Sequence, residues 1–210
     1  VKLTQRFFIC GFGVIHIFIA VTYDKVLTAQ DLEHYLDIAE GIDGLLFRTS
    51  MPQKELKQSM IHLMNQGFAK EKIIVHSDIA LLEDLNLKRI HFKENDETAF
   101  SYKKAHPDIQ VSMSTHNAKS VRQCIDSGLD YVFFGHIFPT TSHPNELPRT
   151  NDEIEKVLNL PIPIYAIGGI SQQTIAQVSQ RFAGICAISF FMNASLEDIK
   201  ELKRKWLKHA

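Results

Sequence analysis

The chain has 210 residues, 45% of them apolar and 22% charged, with 23 basic against 24 acidic side chains and a formal net charge of −1. That composition excludes a disordered, collagenous or disulfide-scaffold protein. The near-neutral balance gives no electrostatic ground for general nucleic-acid binding and leaves room for a local anion site. The three cysteines, Cys10, Cys124 and Cys186, are scattered singly, the pattern of reduced thiols in a cytoplasmic protein. Residues 7–21 carry no formal charge, yet they fall short of the roughly 20 apolar residues that cross a bilayer, and Gly11, Gly13 and His16 weaken the run. No small-residue cleavage site with a spacer follows, so neither a targeting segment nor a membrane anchor is expected. Residues 1–16 are instead read as a short apolar N-terminal extension to a domain spanning 17–210. Residues 7–17 would cover one end of that domain or form a contact between subunits of a homo-oligomer.

Short β-branched runs at 18–22, 44–48, 72–76, 89–92, 110–114, 131–134, 163–167 and 185–189 predict strands. Between them, stretches near 28–40, 53–66, 78–86, 97–105, 117–127, 151–158, 172–181 and 195–208 predict helices, with Thr28, Asn117, Thr150 and Ser171 as N-caps. Leu56, Met60, Leu63 and Met64 recur at helical spacing and mark a core face. The basic residues Lys200, Lys203, Arg204, Lys205 and Lys208 read as a solvated helix face with a favourable C-terminal charge. Strands that are apolar throughout and alternate with helices imply a parallel sheet covered on both faces. Eight such units imply closure into a single-domain (β/α)8 TIM barrel. An open doubly wound sheet would place its glycine-rich turn after the first strand, and here that turn follows the seventh.

In such a barrel the chemistry sits where strands end and βα loops begin. After strand seven stand Gly168, Gly169 and Ser171, two glycines that let backbone approach a ligand, followed by a predicted helix start that would offer free N–H donors. Strand eight ends near Ser189, so Gly168, Gly169 and Ser189 are the expected phosphate site. After strand six come Gly135, His136, Thr140, Thr141, Ser142 and His143. His136 lies immediately beyond the strand and is the expected catalytic acid/base, because an imidazole exchanges protons in both directions near neutral pH. Arg48, Ser114 and His116, with Thr140 and Ser142, are the expected substrate contacts. Arg48 could hold a carboxylate or phosphate bidentately, and His76 is a further ligand contact or a supporting partner. No pair of carboxylates or His/Asp cluster has metal-ligand spacing, and Asp78 and Asp96 read as caps or surface acids. No metal or other cofactor is expected.

The segments Asp130-Tyr131-Val132-Phe133-Phe134-Gly135-His136-Ile137-Phe138-Pro139-Thr140-Thr141-Ser142, Ser112-Met113-Ser114-Thr115-His116 and Ala166-Ile167-Gly168-Gly169-Ile170 resemble the thiamine phosphate synthase/TenI superfamily, in the same order and at similar separations. The resemblance implies one of two activities. A synthase joins an aminopyrimidine diphosphate to a thiazole phosphate with Mg²⁺; a TenI-type tautomerase moves one proton on a thiazole carboxylate phosphate. The synthase pattern is broken in this chain. His76-Ser77 stands where Asn-Asp is usual, Thr49-Ser50-Met51 replaces the stretch with a lysine after Arg48, and His143 replaces a lysine of the strand-six loop. Only Asp96 could serve as the second metal ligand. Histidine after the strand-six glycine is the TenI pattern, and it makes His136 the implied acid/base. The expectation is therefore a metal-independent thiazole tautomerase of thiamine biosynthesis, acting on a phosphorylated thiazole. The alternatives are a Mg²⁺-dependent thiamine phosphate synthase and a non-catalytic phosphate-ligand-binding regulatory protein. No helix-turn-helix or basic recognition helix supports nucleic-acid binding.

Overall fold

Eight strands pair in parallel in sequence order: β1 (Ile17–Val21), β2 (Gly44–Phe47), β3 (Ile73–His76), β4 (Arg89–Phe92), β5 (Gln110–Thr115), β6 (Tyr131–Gly135), β7 (Ile164–Ile167) and β8 (Gly184–Ala187). β8 closes on β1, pairing Ile17 with Gly184 and Ala20 with Ala187. The expected TIM barrel is formed. The computed structural model describes residues 16–142 and 144–207. Apart from His16, whose ring lies 4.4 Å from that of Trp206, the expected N-terminal extension lies outside the described residues, as do Cys10 and His143. No helix among the described residues is long and apolar enough to cross a membrane.

The helices are α1 (Ala29–Asp37), α2 (Gln53–Asn65), α3 (Ile79–Asp84), α4 (Glu97–Ala105), α5 (Ala118–Asp126), α6 (Asn151–Leu158), α7 (Ser189–Asn193) and α8 (Leu196–Leu207). Their starts are largely written in local sequence. Thr28 and Thr150 form capping boxes with Asp31 and Glu153, Asn117 accepts from the N–H groups of Lys119 and Ser120, and Asp78 and Asp96 cap α3 and α4. On α2, Leu56, Met60 and Leu63 are buried as the core stripe anticipates.

Two expectations fail near the end of the chain. Residues 172–181 form no α-helix, only a 3-10 turn at Ile175–Gln177. The Ser171 hydroxyl accepts the Gln173 N–H as an N-cap does, and the Thr174 hydroxyl accepts the Ser171 N–H and donates to the Gly169 carbonyl, but what Ser171 opens is a turn and no α-helix follows. Strand eight stops at Ala187, two residues before its expected end. Ile188 turns into αR geometry and Ser189 becomes the first residue of α7, which carries Phe191 into the core.

Alternation along the strands divides the core into two parts. One face of each strand packs outward against the helices, as Ile90, Phe92, Val111, Met113, Val132 and Phe134 do. The opposite face points into the barrel, where Ile19, Val21, Leu46, Ile74, Tyr131, Phe133, Tyr165 and Cys186 form a small inner cluster. Toward the C-terminal strand ends the inward positions turn polar, and there the barrel opens.

Candidate active site

A cavity of about 280 Å³ lies at the C-terminal ends of the strands. It collects every expected site residue: His136, the candidate acid/base; Arg48, Ser114, His116, Thr140 and Ser142 from the substrate set; and Gly168, Gly169 and Ser189 from the phosphate set. His76 lines it too, and Val21, Leu46, Phe133 and Ile167 supply apolar surface.

On the β6–β7 side the chain is packed backbone on backbone. Ile137 N–H donates to the Ile167 carbonyl at 2.9 Å and Phe138 N–H to the Gly168 carbonyl at 3.1 Å. Gly168 has φ +100° and Gly169 φ +66°. A Cβ on Gly168 would overlap the Cβ of His136, and one on Gly169 would come within 2.5 Å of the Pro139 carbonyl oxygen. The diglycine is thus required by its contact with the His136 loop, whatever else its amides bind. His136 is only 4% exposed although it lines the cavity. Its Nε2 lies 3.3 Å from the Glu146 carbonyl oxygen, and its own carbonyl accepts the Arg149 N–H at 2.9 Å. The N–H groups in the first turn of α7 lack intrahelical acceptors, and Ser189 there is exposed.

On the β3–β5 side the geometry is carried by side chains. His91, buried on β4, places Nδ1 2.8 Å from Ser112 Oγ and Nε2 2.9 Å from Ser114 Oγ, with its ring stacked on Phe133 at 4.1 Å. The Ser112 hydroxyl donates to the Ile90 carbonyl, so its oxygen accepts from His91 Nδ1–H. His91 Nε2 is then the acceptor for the Ser114 hydroxyl, and Ser114 turns lone pairs toward the cavity. Burial, with His76 and Arg48 nearby, holds His91 well below the usual imidazole range, which keeps it in the neutral form this chain of bonds needs. His76 is lowered to about 4, first by burial and then by the charges of Arg48 and Lys93.

The Mg²⁺ implied by the synthase pattern takes oxygen ligands, usually carboxylates. At the corresponding positions His76 offers a nitrogen, Ser77 lies outside the cavity lining, and Asp96 accepts the Thr98 N–H as the cap of α4. The carboxylate that does reach the cavity, Glu94, already accepts hydrogen bonds from His116 and Ser120. These donors do not fit the ion.

His91, Lys93 and Glu94 line the cavity but were missed in the sequence. The available signal was strand periodicity: Arg89 and His91 share the face opposite to Ile90 and Phe92, so two polar residues on β4 had to point inward.

The family model described as thiamine monophosphate synthase (TMP-TENI) matches residues 19–191. A thiamine-phosphate synthase of Anoxybacillus flavithermus is 33% identical over 125 residues, which is 58% of this chain and 58% of that protein, so the match spans less than two thirds of the relative. One from Xylella fastidiosa is 22% identical over 189 residues, 87% of this chain and 80% of its own length. Among solved structures, a thiamine phosphate pyrophosphorylase from Pyrococcus furiosus superposes with a TM-score of 0.73 at 18% identity, covering 93% of this chain and 98% of that one, a likeness of fold. With most of its length matched by the family model, this chain belongs to the thiamine monophosphate synthase (TMP-TENI) family.

Proposed function

We propose that the protein is a TenI-type thiazole tautomerase, moving one proton on a thiazole carboxylate phosphate without a metal ion. The observation that carries this reading is His136, buried at the end of β6, lining the cavity and braced against the diglycine after β7. A proton shift asks for little beyond an acid/base and firm positioning. The amides of Gly168 and Gly169 with Ser189 hold the phosphate, and Arg48 pairs with the carboxylate. Thr140 and Ser142 close over the ligand from the β6 loop. Ser114, whose proton is committed to His91, lines the cavity as a contact to the substrate ring. His136 exchanges a proton with a carbon of the substrate. The poor fit of His76, Ser77 and Asp96 to Mg²⁺ supports a reaction that needs no diphosphate departure.

The names of the relatives favour a second reading, thiamine phosphate synthase, and Arg48 with Lys93 supplies two cations at the cavity for a diphosphate. The test is turnover of the thiazole carboxylate phosphate in the presence of a chelator, by wild type and His136→Ala. The expected result is wild-type activity, with a fall of about 10²–10⁴ in the variant and product binding retained. Mg²⁺-dependent coupling of the aminopyrimidine diphosphate with thiazole phosphate, without tautomerase activity, would replace this reading by the second. Binding without either turnover would leave the protein a phosphate-ligand sensor.

A further inference from the structure

The tautomerase reading leaves a carboxylate–imidazole pair on the cavity wall unused. Glu94, just past β4, places Oε2 2.7 Å from Nδ1 of His116, while its Oε1 accepts the His116 N–H at 2.9 Å and the Ser120 hydroxyl at 2.6 Å. Burial opposes ionisation of Glu94, but the hydrogen bonds from Ser120 and His116 outweigh it and hold the carboxyl below its ordinary range. An ionised carboxylate only accepts, so His116 Nδ1 carries a proton, and the neutral ring keeps its lone pair on Nε2. No described residue hydrogen-bonds that Nε2, and His116 lines the cavity. A carboxylate behind Nδ1 with Nε2 turned to the ligand is the arrangement of an oriented general base. Arg149 ties this imidazole to the other one: its Nη1 donates to the His116 carbonyl at 3.3 Å and its N–H to the His136 carbonyl at 2.9 Å.

We propose that His116, oriented by Glu94, is a second acid/base of the cavity and exchanges a proton with the substrate at a different atom from His136. This assignment rests on the tautomerase reading. In that reaction a C–H bond breaks at a ring carbon, its electron pair shifts through the conjugated system, and a C–H bond forms at an exocyclic carbon. One imidazole takes the first proton and the other, starting protonated, gives the second. The two then exchange charge states with solvent before the next turnover, so nothing is consumed. The charged and titratable groups that share the cavity with His116 are Glu94 and Lys93 from the β4 end, His91 from β4, His76 from β3, Arg48 from β2 and His136 from β6, with Arg149 behind its carbonyl.

The experiment measures pH profiles of kcat/KM for wild type, His116→Asn and Glu94→Gln, with product affinity and thermal midpoint as controls. Asn keeps a donor for Glu94 and removes Nε2. The expected outcome for His116→Asn is a loss of about 10² or more in kcat, one limb of the profile gone, and product affinity and midpoint near wild type. Gln keeps an acceptor for Nδ1–H and removes the charge that stabilises an imidazolium, so Glu94→Gln should retain more activity and move that same limb to lower pH. Wild type given substrate deuterated at the ring carbon should form product without internally transferred label. A His116→Asn enzyme within threefold of wild type with both limbs intact, an unmoved limb in Glu94→Gln, or deuterium carried to the exocyclic carbon would each overturn the second acid/base and leave the tautomerase reading standing. A wild-type enzyme that does not turn over the thiazole at all would overturn both.

Discussion

The two sides of the cavity are built on different principles. On the β6–β7 side, backbone meets backbone across Ile137–Ile167 and Phe138–Gly168, and glycine is required because no other residue fits. On the β3–β5 side, position is set by chains of side-chain hydrogen bonds, Ser112–His91–Ser114 and His116–Glu94–Ser120. The first side has a fixed shape that a single added methyl group breaks. The second is held by donors and acceptors in sequence, so it breaks when one member is deleted and recovers in part when its partner is deleted with it.

Gly168→Ala should have the largest effect on stability. The substitution combines a positive φ, costing about 1–2 kcal/mol for a residue with a Cβ, with overlap onto His136 in a packed region, costing about 1–3 kcal/mol. Urea unfolding should therefore show a loss of roughly 2–5 kcal/mol, accompanied by lower activity as His136 is displaced. A variant as stable as wild type would mean that the β6 and β7 loops separate easily and that the diglycine serves the ligand alone.

The same contrast explains what could be read in advance. The barrel was legible because eight apolar runs alternate with capped helices, and caps such as Thr28, Asn117 and Thr150 act within four residues of sequence. The His136 loop and the diglycine were legible because close contact restricts both segments to a recognisable pattern. His91 and Glu94 were not, because a histidine inside a strand and a glutamate in a polar loop are unremarkable until closure of the barrel brings β4 beside β5. The helix expected at 172–181 begins as a turn, with the Ile175 N–H on the Ser171 carbonyl, and stops after the 3-10 segment Ile175–Gln177, where Val178 returns to extended backbone.

On the other side, His91→Leu should cost about 1–3 kcal/mol, the range for leaving a buried polar partner without its hydrogen bond, and it also removes the stacking on Phe133. Ser114 would lose its acceptor, its hydroxyl would rotate, and KM should rise. Adding Ser112→Ala should recover part of the stability, because a matched deletion leaves fewer stranded groups than a single one. If the double variant is worse than the sum of the two single ones, the bond chain does not determine the geometry of this side.

Acid should weaken the protein through the same imidazoles. The unfolded chain takes up protons on His76 near pH 6.5, whereas the folded barrel holds that ring neutral down to about 4, and His91 is lowered in the same direction. The unfolded state therefore binds more protons between these values, and stability falls with falling pH. The contribution is whole above about pH 6.5 and is lost progressively toward pH 4. Replacing His76 with Asn should flatten that part of the profile. An equally steep decline in the variant would assign the acid sensitivity to other groups.

The smallest effect tests where the rigid side ends. Thr140 and Ser142 sit beyond the locked segment; the Ser142 hydroxyl is exposed, and its N–H reaches Thr140 Oγ1 only at 3.4 Å. A hydroxyl in such a place has little structural work, so Ser142→Ala should leave the unfolding free energy within about 0.5 kcal/mol of wild type. As a ligand contact it is worth one ordinary hydrogen bond, about 0.5–1.5 kcal/mol, which corresponds to a two- to tenfold rise in KM with kcat unchanged. A fall in kcat instead would mean that this loop takes part in positioning His136, extending the rigid side past Pro139. No change in KM would remove Ser142 from the ligand contacts and leave Thr140 as the last residue of the β6 loop to face the substrate.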